Sequence, residues 1–263
     1  MKHQNYEGMH LNGNVLRIEK DSIFDGDGLR TVVFMKGCPL RCRWCSTPES
    51  YHKKIQTTMD GNITYGQKMT VEDVMAEVRK DSLFYFHSGG GMTVSGGELL
   101  MQSEFAYHLL NRASWEGIDT CIETSFFGEW NKIEPILDCT NTAFVDLKLM
   151  DAEKHKIYTG VDNRIILDNL RRAASNKRGG KLIVRRPLIP GVNDSKEELE
   201  LLGQFLGKLP GVSYLQLLPY HRLGTDTYRK LGYNYRLHDV TTPSKEHMQW
   251  CQSITNKYLK TII

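Results

Sequence analysis

Arg30-Thr31-Val32-Val33-Phe34-Met35-Lys36-Gly37-Cys38-Pro39-Leu40-Arg41-Cys42-Arg43-Trp44-Cys45 decides how the rest of the chain is read. Its first six residues are rich in β-branched and aromatic side chains, the composition of a strand. The strand runs straight into three cysteines spaced C-x3-C-x2-C, with no fourth cysteine nearby. Iron–sulfur clusters are held by thiolates, and a [4Fe–4S] cluster commonly takes four. Three ligands leave one iron open, and an open iron can bind a small molecule and pass it an electron.

Outward from this strand, short apolar runs alternate with helical patterns. Strands are expected at 92–95, 119–122, 142–146, 181–185 and 212–218. Thr70-Val71-Glu72-Asp73 resembles a capping box with Asp in place of Glu, opening a helix with Val71, Val74, Met75 and Val78 on one face. Further helices are expected through Phe105, Leu109 and Leu110, at 130–137 and 165–174, through Leu199 to Leu209, and at 244–259. Six strand–helix units imply a parallel sheet. A complete eight-unit barrel needs about 250 residues. The N-terminus and the polar stretch 48–68 occupy too much of this 263-residue chain for that. The expectation is α/β, a partial (β/α)6 TIM-like barrel within a single domain over 1–263. Its barrel core spans about 14–225, with a C-terminal extension and helix at 226–263. Lys177-Arg178-Gly179-Gly180 reads as a solvated turn before a strand.

Composition narrows the class. With 40% hydrophobic and 25% charged residues the chain is ordinary for a globular protein. A net charge of +3 with scattered Lys and Arg gives no nucleic-acid-binding face. The first eight residues contain no apolar signal region, and no run approaches the roughly 18 apolar residues of a membrane span. Six cysteines in a chain of this length are no disulfide framework. The expected location is cytoplasmic. Cys121, Cys139 and Cys251 show no ligand spacing and read as small core residues.

Polar residues gather where the strands end: Ser95-Gly96-Gly97-Glu98, Glu123-Thr124, Asp146-Leu147-Lys148, Arg185, and Leu218-Pro219-Tyr220-His221. Parallel barrels build their sites at the C-terminal strand ends, so all these groups should face one mouth with the cysteine loop. Each also has a plainer meaning. Gly96-Gly97 is a turn, Asp146 and Lys148 are a structural ion pair, Arg185 is paired with a carboxylate, and His221 is a hydrogen-bonded loop residue.

The cysteine motif with Trp44 inside it resembles that of the radical S-adenosylmethionine (radical SAM) superfamily. Asp25-Gly26-Asp27-Gly28-Leu29-Arg30-Thr31 before it and Ser95-Gly96-Gly97-Glu98 after it narrow the resemblance to the activating enzymes of glycyl radical enzymes. The similarity continues through Asp146-Leu147-Lys148, His155 to Val161, Ile189-Pro190-Gly191-Val192-Asn193-Asp194, and Leu217 to Gly224.

The resemblance implies a reduced cluster that splits SAM into methionine and a 5′-deoxyadenosyl radical. That radical takes a hydrogen from a glycine of a partner glycyl radical enzyme. By position, Cys38, Cys42 and Cys45 hold the cluster. Trp44, Gly96, Gly97, Glu98, Glu123, Lys148, Arg185 and His221 bind SAM, with Gly96, Gly97 and Glu98 at its amino group and Lys148 near its carboxylate. Glu123, Thr124 and Asp146 match a monovalent-cation site. A flavodoxin- or ferredoxin-type protein supplies the electron. The chain is expected to be a monomer without nucleic-acid or membrane partners.

Four departures stand out. Ser46-Thr47-Pro48 follows the third cysteine where the family usually carries Asn. Asp27 replaces the proline of the glycine-rich entry. Glu123-Thr124-Ser125-Phe126-Phe127-Gly128 displaces the glycine that usually follows this strand, so the backbone there is expected to differ. The stretch 48–68 contains no cysteine, whereas many relatives carry a ferredoxin-like insert, so one cluster is expected. Competing readings are a radical SAM enzyme acting on a small molecule, an electron carrier with a fourth thiolate, and a structural zinc module, for which His52 is poorly spaced.

Overall fold

Two antiparallel strands begin the fold: β1 (Asn12–Ser22) turns through residues 23–29 into β2 (Arg30–Met35). The structure, a computed structural model, describes residues 8–176 and 179–263; the Lys177-Arg178 turn and the first seven residues lie outside them. After the cysteine loop come two short strands, β3 (Gln56–Thr57) and β4 (Thr64–Tyr65), paired as a small hairpin. β5 (Gln67–Thr70) then returns to pair with β1.

The β/α units follow. Helices α1 (Val71–Arg79) and α2 (Ser82–Ser88) lead to β6 (Gly91–Gly96), and α3 (Ser103–Trp115) to β7 (Asp119–Thr124). Helix α4 (Trp130–Asp138) leads to β8 (Thr142–Asp146). Helices α5 (Ala152–Thr159) and α6 (Arg164–Ser175) precede β9 (Lys181–Leu188), and α7 (Lys196–Leu206) precedes β10 (Val212–Pro219). The chain ends with α8 (Thr225–Lys230), α9 (Lys245–Thr255) and β11 (Thr261–Ile262).

The sheet runs β11-β10-β9-β8-β7-β6-β2-β1-β5. Its six central strands, β2 and β6 to β10, are parallel. The two ends of this order do not pair, which makes an open, partial (β/α)6 barrel. Strands β2, β6 and β8 are buried along nearly their whole length, as parallel strands covered on both faces must be. The main core lies between sheet and helices, where α1 places Val71, Val74, Met75 and Val78, and α3 places Phe105, Leu109 and Leu110. A second core underlies the cysteine loop, with Leu40, Trp44, Leu149, Ile189, Tyr220, Tyr228 and Tyr235.

All six expected parallel strands are present, and the Thr70 capping box forms: Asp73 N donates to Thr70 Oγ1 at 3.1 Å and Thr70 N to Asp73 Oδ2 at 2.8 Å. Three features were not expected. β1 and β5 widen the sheet with antiparallel strands. The last helix stops at Thr255, because a turn returns the chain to add β11 beside β10. The polar stretch 48–68 folds as a 3-10 turn at Pro48–Ser50 and the hairpin. Among the described residues, no helix is long and apolar enough to cross a membrane.

Candidate active site

The cysteine loop is pinned from two sides. Gly37 N donates to Ser50 O at 2.7 Å and Cys38 N to Tyr51 O at 3.1 Å. On the other side, Arg41 N donates to Thr159 O at 2.6 Å and Arg43 N to Tyr158 O at 3.0 Å. These acceptors are carbonyls at the C-terminal end of α5, which the helix itself cannot satisfy. Gly160 ends that helix in the left-handed region, φ 87°. The Tyr158-Thr159-Gly160-Val161 motif therefore acts as a clamp on the cysteine loop.

Lys148 sits in the segment 146–150, which leaves the sheet after β8 and no longer has strand neighbours for its carbonyls. Buried side chains take their place. Arg186 Nε donates to Leu147 O at 2.9 Å, Asn193 Nδ2 to Lys148 O at 2.9 Å, and Asn163 Nδ2 to Leu149 O at 2.9 Å and Met150 O at 2.8 Å. Glu198 pairs with Arg186 at 3.0 Å and accepts from Met150 N. Buried backbone groups without partners are costly, so these residues fix the path that aims Lys148. Asn193 explains the Ile189-to-Asp194 motif. Arg186 was visible in the sequence only as a second charge beside Arg185, and Asn163 and Glu198 carried no signal at all.

One cavity of about 730 Å³ collects the strand ends. It is lined by Cys38, Cys42 and Cys45, by Trp44, Gly96, Gly97 and Glu98, by Glu123 and Thr124, and by Asp146, Lys148, Arg185 and His221. Every residue named above as a candidate for the cluster, SAM or the cation thus lines one cavity. Phe24 and Asp25, from the loop between β1 and β2, also reach it. The glycine-rich motif held that signal but did not show where the loop goes. Cys121, Cys139 and Cys251 are not among the lining residues.

Burial pushes all three loop thiols up, Cys42 to about 12, with the Lys148 ammonium opposing it there. Neutral thiols must lose protons to bind metal, and Lys148 is the fixed charge that favours this. Burial works against the Lys148 ammonium, but Asp146 and Cys42 outweigh it and hold its pKa above the ordinary value. Its Nζ donates to Asp146 Oδ2 at 2.8 Å. Trp44 is buried, with its ring 6.4 Å from Tyr158. His221 stands exposed at the rim.

Several residues are already committed. Glu98 is buried and its two oxygens accept four hydrogen bonds, from Leu100 N, Thr124 Oγ1, Ser125 N and Ser125 Oγ. A carboxylate has about four acceptor positions, and these four bonds make Glu98 a brace for the turn after β7. Burial pushes its carboxyl up, against these bonds. Arg185 pairs with Glu123, donates to Gln216 Oε1 at 2.9 Å and Phe24 O at 2.9 Å, and lies 3.4 Å over the Phe144 ring. Glu123 also accepts from Ser95 Oγ at 2.6 Å. Here the plainer meanings of Arg185 and of the Asp146–Lys148 pair are what the structure contains, although all three line the cavity.

Glu123, Thr124 and Asp146, matched above to a cation site, each have a protein partner in this structure. Glu123 is held by Arg185, Thr124 donates to Glu98, and Asp146 accepts from Lys148. We assign no cation to these three residues.

The displaced glycine has a local solution. Phe126 occupies its position with φ 58°, the left-handed region that favours glycine. The backbone there keeps a glycine-like conformation, contrary to the expectation. Thr124 Oγ1 accepts from Phe126 N at 3.0 Å, and Asn169 Nδ2 donates to Phe126 O at 2.9 Å and Gly128 O at 2.8 Å. Burial of the ring, 1% exposed, offsets the strain.

The donor set fits a cluster with an open position: three thiols at one cavity, no fourth cysteine lining it, and glycine backbone packed against the loop. A Cβ on Gly97 would stand 2.8 Å from the Gly37 carbonyl carbon and 3.3 Å from Cys38 Cβ. Comparison with known proteins agrees. The Radical SAM superfamily model matches residues 32–202. The chain is 38% identical to the isethionate sulfite-lyase activating enzyme of Oleidesulfovibrio alaskensis, covering 85% of this chain and 88% of that one. It is 34% identical to the pyruvate formate-lyase-activating enzyme of Clostridium pasteurianum, covering 95% and 98%. A solved domain of the pyruvate-formate lyase-activating enzyme from Bacteroides vulgatus superposes with a TM-score of 0.56 at 32% identity, covering 66% of this chain and 99% of that one. The first alignment spans 274 positions, of which this chain fills about 224 (85% of 263), leaving about 50 without a counterpart here. The second spans 251, of which it fills about 250 (95% of 263). The chain belongs to the radical SAM superfamily and, within it, to the activating enzymes of glycyl radical enzymes, a family whose chemistry implies a [4Fe–4S] cluster and S-adenosylmethionine.

Proposed function

We propose that this chain activates a partner glycyl radical enzyme by removing a hydrogen from one of that partner's glycines. The observation that carries the reading is the single cavity in which the three-cysteine loop meets the ends of the parallel strands. When bound, the cluster at Cys38, Cys42 and Cys45 supplies the electron for reductive cleavage of SAM. Gly96 and Gly97 offer backbone at close approach to the methionine amino group. Lys148, aimed by Asn193 and Arg186, offers its ammonium to the methionine carboxylate. Trp44 and His221 complete the wall, and Arg185 with Glu123 forms a fixed floor that ties the 23–29 loop to β7 and β10. Glu98 acts through the turn it braces.

One cluster per chain is part of the proposal. It is supported by the cysteine-free stretch 48–68, which folds as a 3-10 turn and a short hairpin, and by the alignment with the Clostridium relative, in which this chain fills about 250 of 251 positions. The electron comes from a flavodoxin- or ferredoxin-type protein. The same reading takes residues 1–263 as one domain acting as a monomer in the cytoplasm, with β11 fastening the C-terminal extension to β10.

The test is anaerobic. Reconstituted chain, SAM and a low-potential reductant are mixed with a glycyl radical enzyme encoded nearby and followed by electron paramagnetic resonance. The partner should acquire a glycyl-radical doublet with one 5′-deoxyadenosine formed per radical. A silent partner, together with a small molecule that drives 5′-deoxyadenosine formation, would replace this reading. Lys148→Ala should weaken SAM binding by on the order of 1.5–3 kcal/mol, the worth of a hydrogen bond to a charged group. Unchanged affinity with the cluster intact removes Lys148 from the site.

A further inference from the structure

The clamp on the cysteine loop is made by residues 158–160, yet the motif that carries it begins one turn earlier, at His155. This histidine is fully buried in the middle of α5. Its two ring nitrogens differ sharply. Nδ1 lies 2.6 Å from Val161 O and 2.9 Å from Thr159 Oγ1. Nε2 is buried with no hydrogen-bond partner among the described residues.

These contacts assign the ring's proton. A carbonyl oxygen only accepts, so the short contact with Val161 O requires Nδ1 to carry the hydrogen. Nδ1 then cannot accept from Thr159, whose hydroxyl donates to His155 O at 2.8 Å instead. Nε2 is the bare nitrogen, and a proton added there would leave a buried charge unpaired. Burial accordingly holds the ring below the ordinary histidine pKa, against the bond to Val161, and the Lys148 and Arg186 charges push the same way. The bond from Nδ1 closes the chain over Gly160, which ends α5 with φ 87° and, as a glycine, fixes no conformation by itself. Both halves of the site hang on this closed stretch. Tyr158 O and Thr159 O accept from Arg43 N and Arg41 N of the cysteine loop. Asn163, two residues past Val161, holds Leu149 O and Met150 O, and with them the segment that carries Lys148.

We propose that His155 is a positioning residue: its Nδ1–H, bound to Val161 O, sets the spacing between the cysteine loop and Lys148, and so the fit of SAM between the two. This role rests on the reading that the cysteines hold the cluster and that Lys148 meets SAM. His155 touches neither. It acts through the backbone of 158–163, which reaches the cysteine loop on one side and the Lys148 segment on the other.

The experiment compares His155→Asn, His155→Gln and His155→Leu as anaerobically reconstituted chains, with iron content assayed. An asparagine amide places an N–H near the position of Nδ1, whereas a glutamine amide places it near that of Nε2. His155→Gln and His155→Leu should cleave SAM about 10–100-fold more slowly, since a misplacement of about 1 Å can cost about 100-fold. They should also alter the electron paramagnetic resonance line shape of the reduced cluster with SAM. His155→Asn should keep that line shape and a rate within about threefold of wild type, well inside the same range. A role in packing alone predicts the reverse order, because Gln and Leu fill the volume of a histidine better than Asn. In the oxidised wild-type holoenzyme, nitrogen-15 histidine spectra at neutral pH should show a neutral Nδ1–H ring that His155→Asn removes. If His155→Gln and His155→Leu do not fold, this spectrum decides. Equal rates in the three variants, or an Asn variant that falls with the others or fails to fold, overturn this inference and leave the cluster reading standing. So does a ring that carries its proton on Nε2. A wild-type chain that binds no cluster through these cysteines overturns both.

Discussion

Gly97→Ala tests how tightly the site is built. Gly97 lies directly under the cysteine loop: its N donates to Met35 O at 2.9 Å, and the next residue's N donates to Gly37 O at 2.8 Å. An added Cβ would stand 2.8 Å from the Gly37 carbonyl carbon and closer still to its oxygen. Ordinary contact begins near 3.4 Å, so the 37–38 peptide must move by more than half an ångström, the difference between these two distances. The obstruction is backbone, which has no rotamer with which to step aside. Overpacking of this kind costs about 1–3 kcal/mol, which a chain of this size survives. The functional cost is larger, because the displaced peptide carries Cys38, and a misplacement of about 1 Å can cost about 100-fold in rate. The variant should keep its far-ultraviolet circular dichroism, melt a few degrees lower, and lose cluster iron or SAM affinity. Glycyl-radical yield on the partner should fall by about two orders of magnitude. Full iron content with SAM affinity and radical yield within twofold of wild type would refute the reasoning, and the glycine would then be only a turn.

Two further outcomes follow from the structure. Phe126→Gly should be more stable than Phe126→Ala in chemical denaturation, by roughly 1 kcal/mol. This reverses the usual order, because the position requires a left-handed backbone that costs an L-residue about 1–2 kcal/mol. Both should fall below wild type by a few kcal/mol for the lost buried ring, and Ala above Gly would refute the strain at φ 58°. Glu116 is held below its ordinary value of 4.5 by hydrogen bonds from Arg79 and Arg112, partly opposed by burial. A depressed carboxylate contributes stability that is complete above its unfolded pKa and is lost as pH falls through the folded one. Glu116→Gln should therefore cost on the order of 1 kcal/mol near pH 7 and flatten the stability profile below about pH 4.5; an unchanged acid limb counts against the ion-pair cluster.

The parallel core was legible because its signals are local. Strand β2, its run into three cysteines, and the alternation of β and α patterns are all short-range in sequence. Six strands could be counted without knowing where any helix packs. The site residues were legible for a related reason: parallel strands put every C-terminal end on one side, so residues far apart in the chain share a mouth as soon as the sheet is parallel. The glycines of Ser95-Gly96-Gly97-Glu98 declared a turn or a close backbone approach to a ligand, and only the fold shows that they pack against the cysteine loop.

Tertiary structure alone decided what each polar group does once it arrives. Glu98 and Arg185 carry charges that a sequence assigns readily to a ligand. Their partners Ser125, Thr124 and Gln216 are ordinary residues that become acceptors or donors only through the fold. The carbonyls of 147–150 needed Asn163, Arg186 and Asn193, which no pattern connects to Lys148. Strands β1, β5 and β11 are stabilised by pairing with strands already in place rather than by a strong pattern of their own. Phe126 shows the same limit from the other side: the missing glycine was visible, but whether the backbone or the side chain would yield depended on Asn169 and the surrounding core. Local periodicity and spacing determined the strands, the cysteine loop and the residues at its mouth. The hydrogen-bond partners that fix each side chain's role depend on contacts between distant segments, and those exist only once the sheet has assembled.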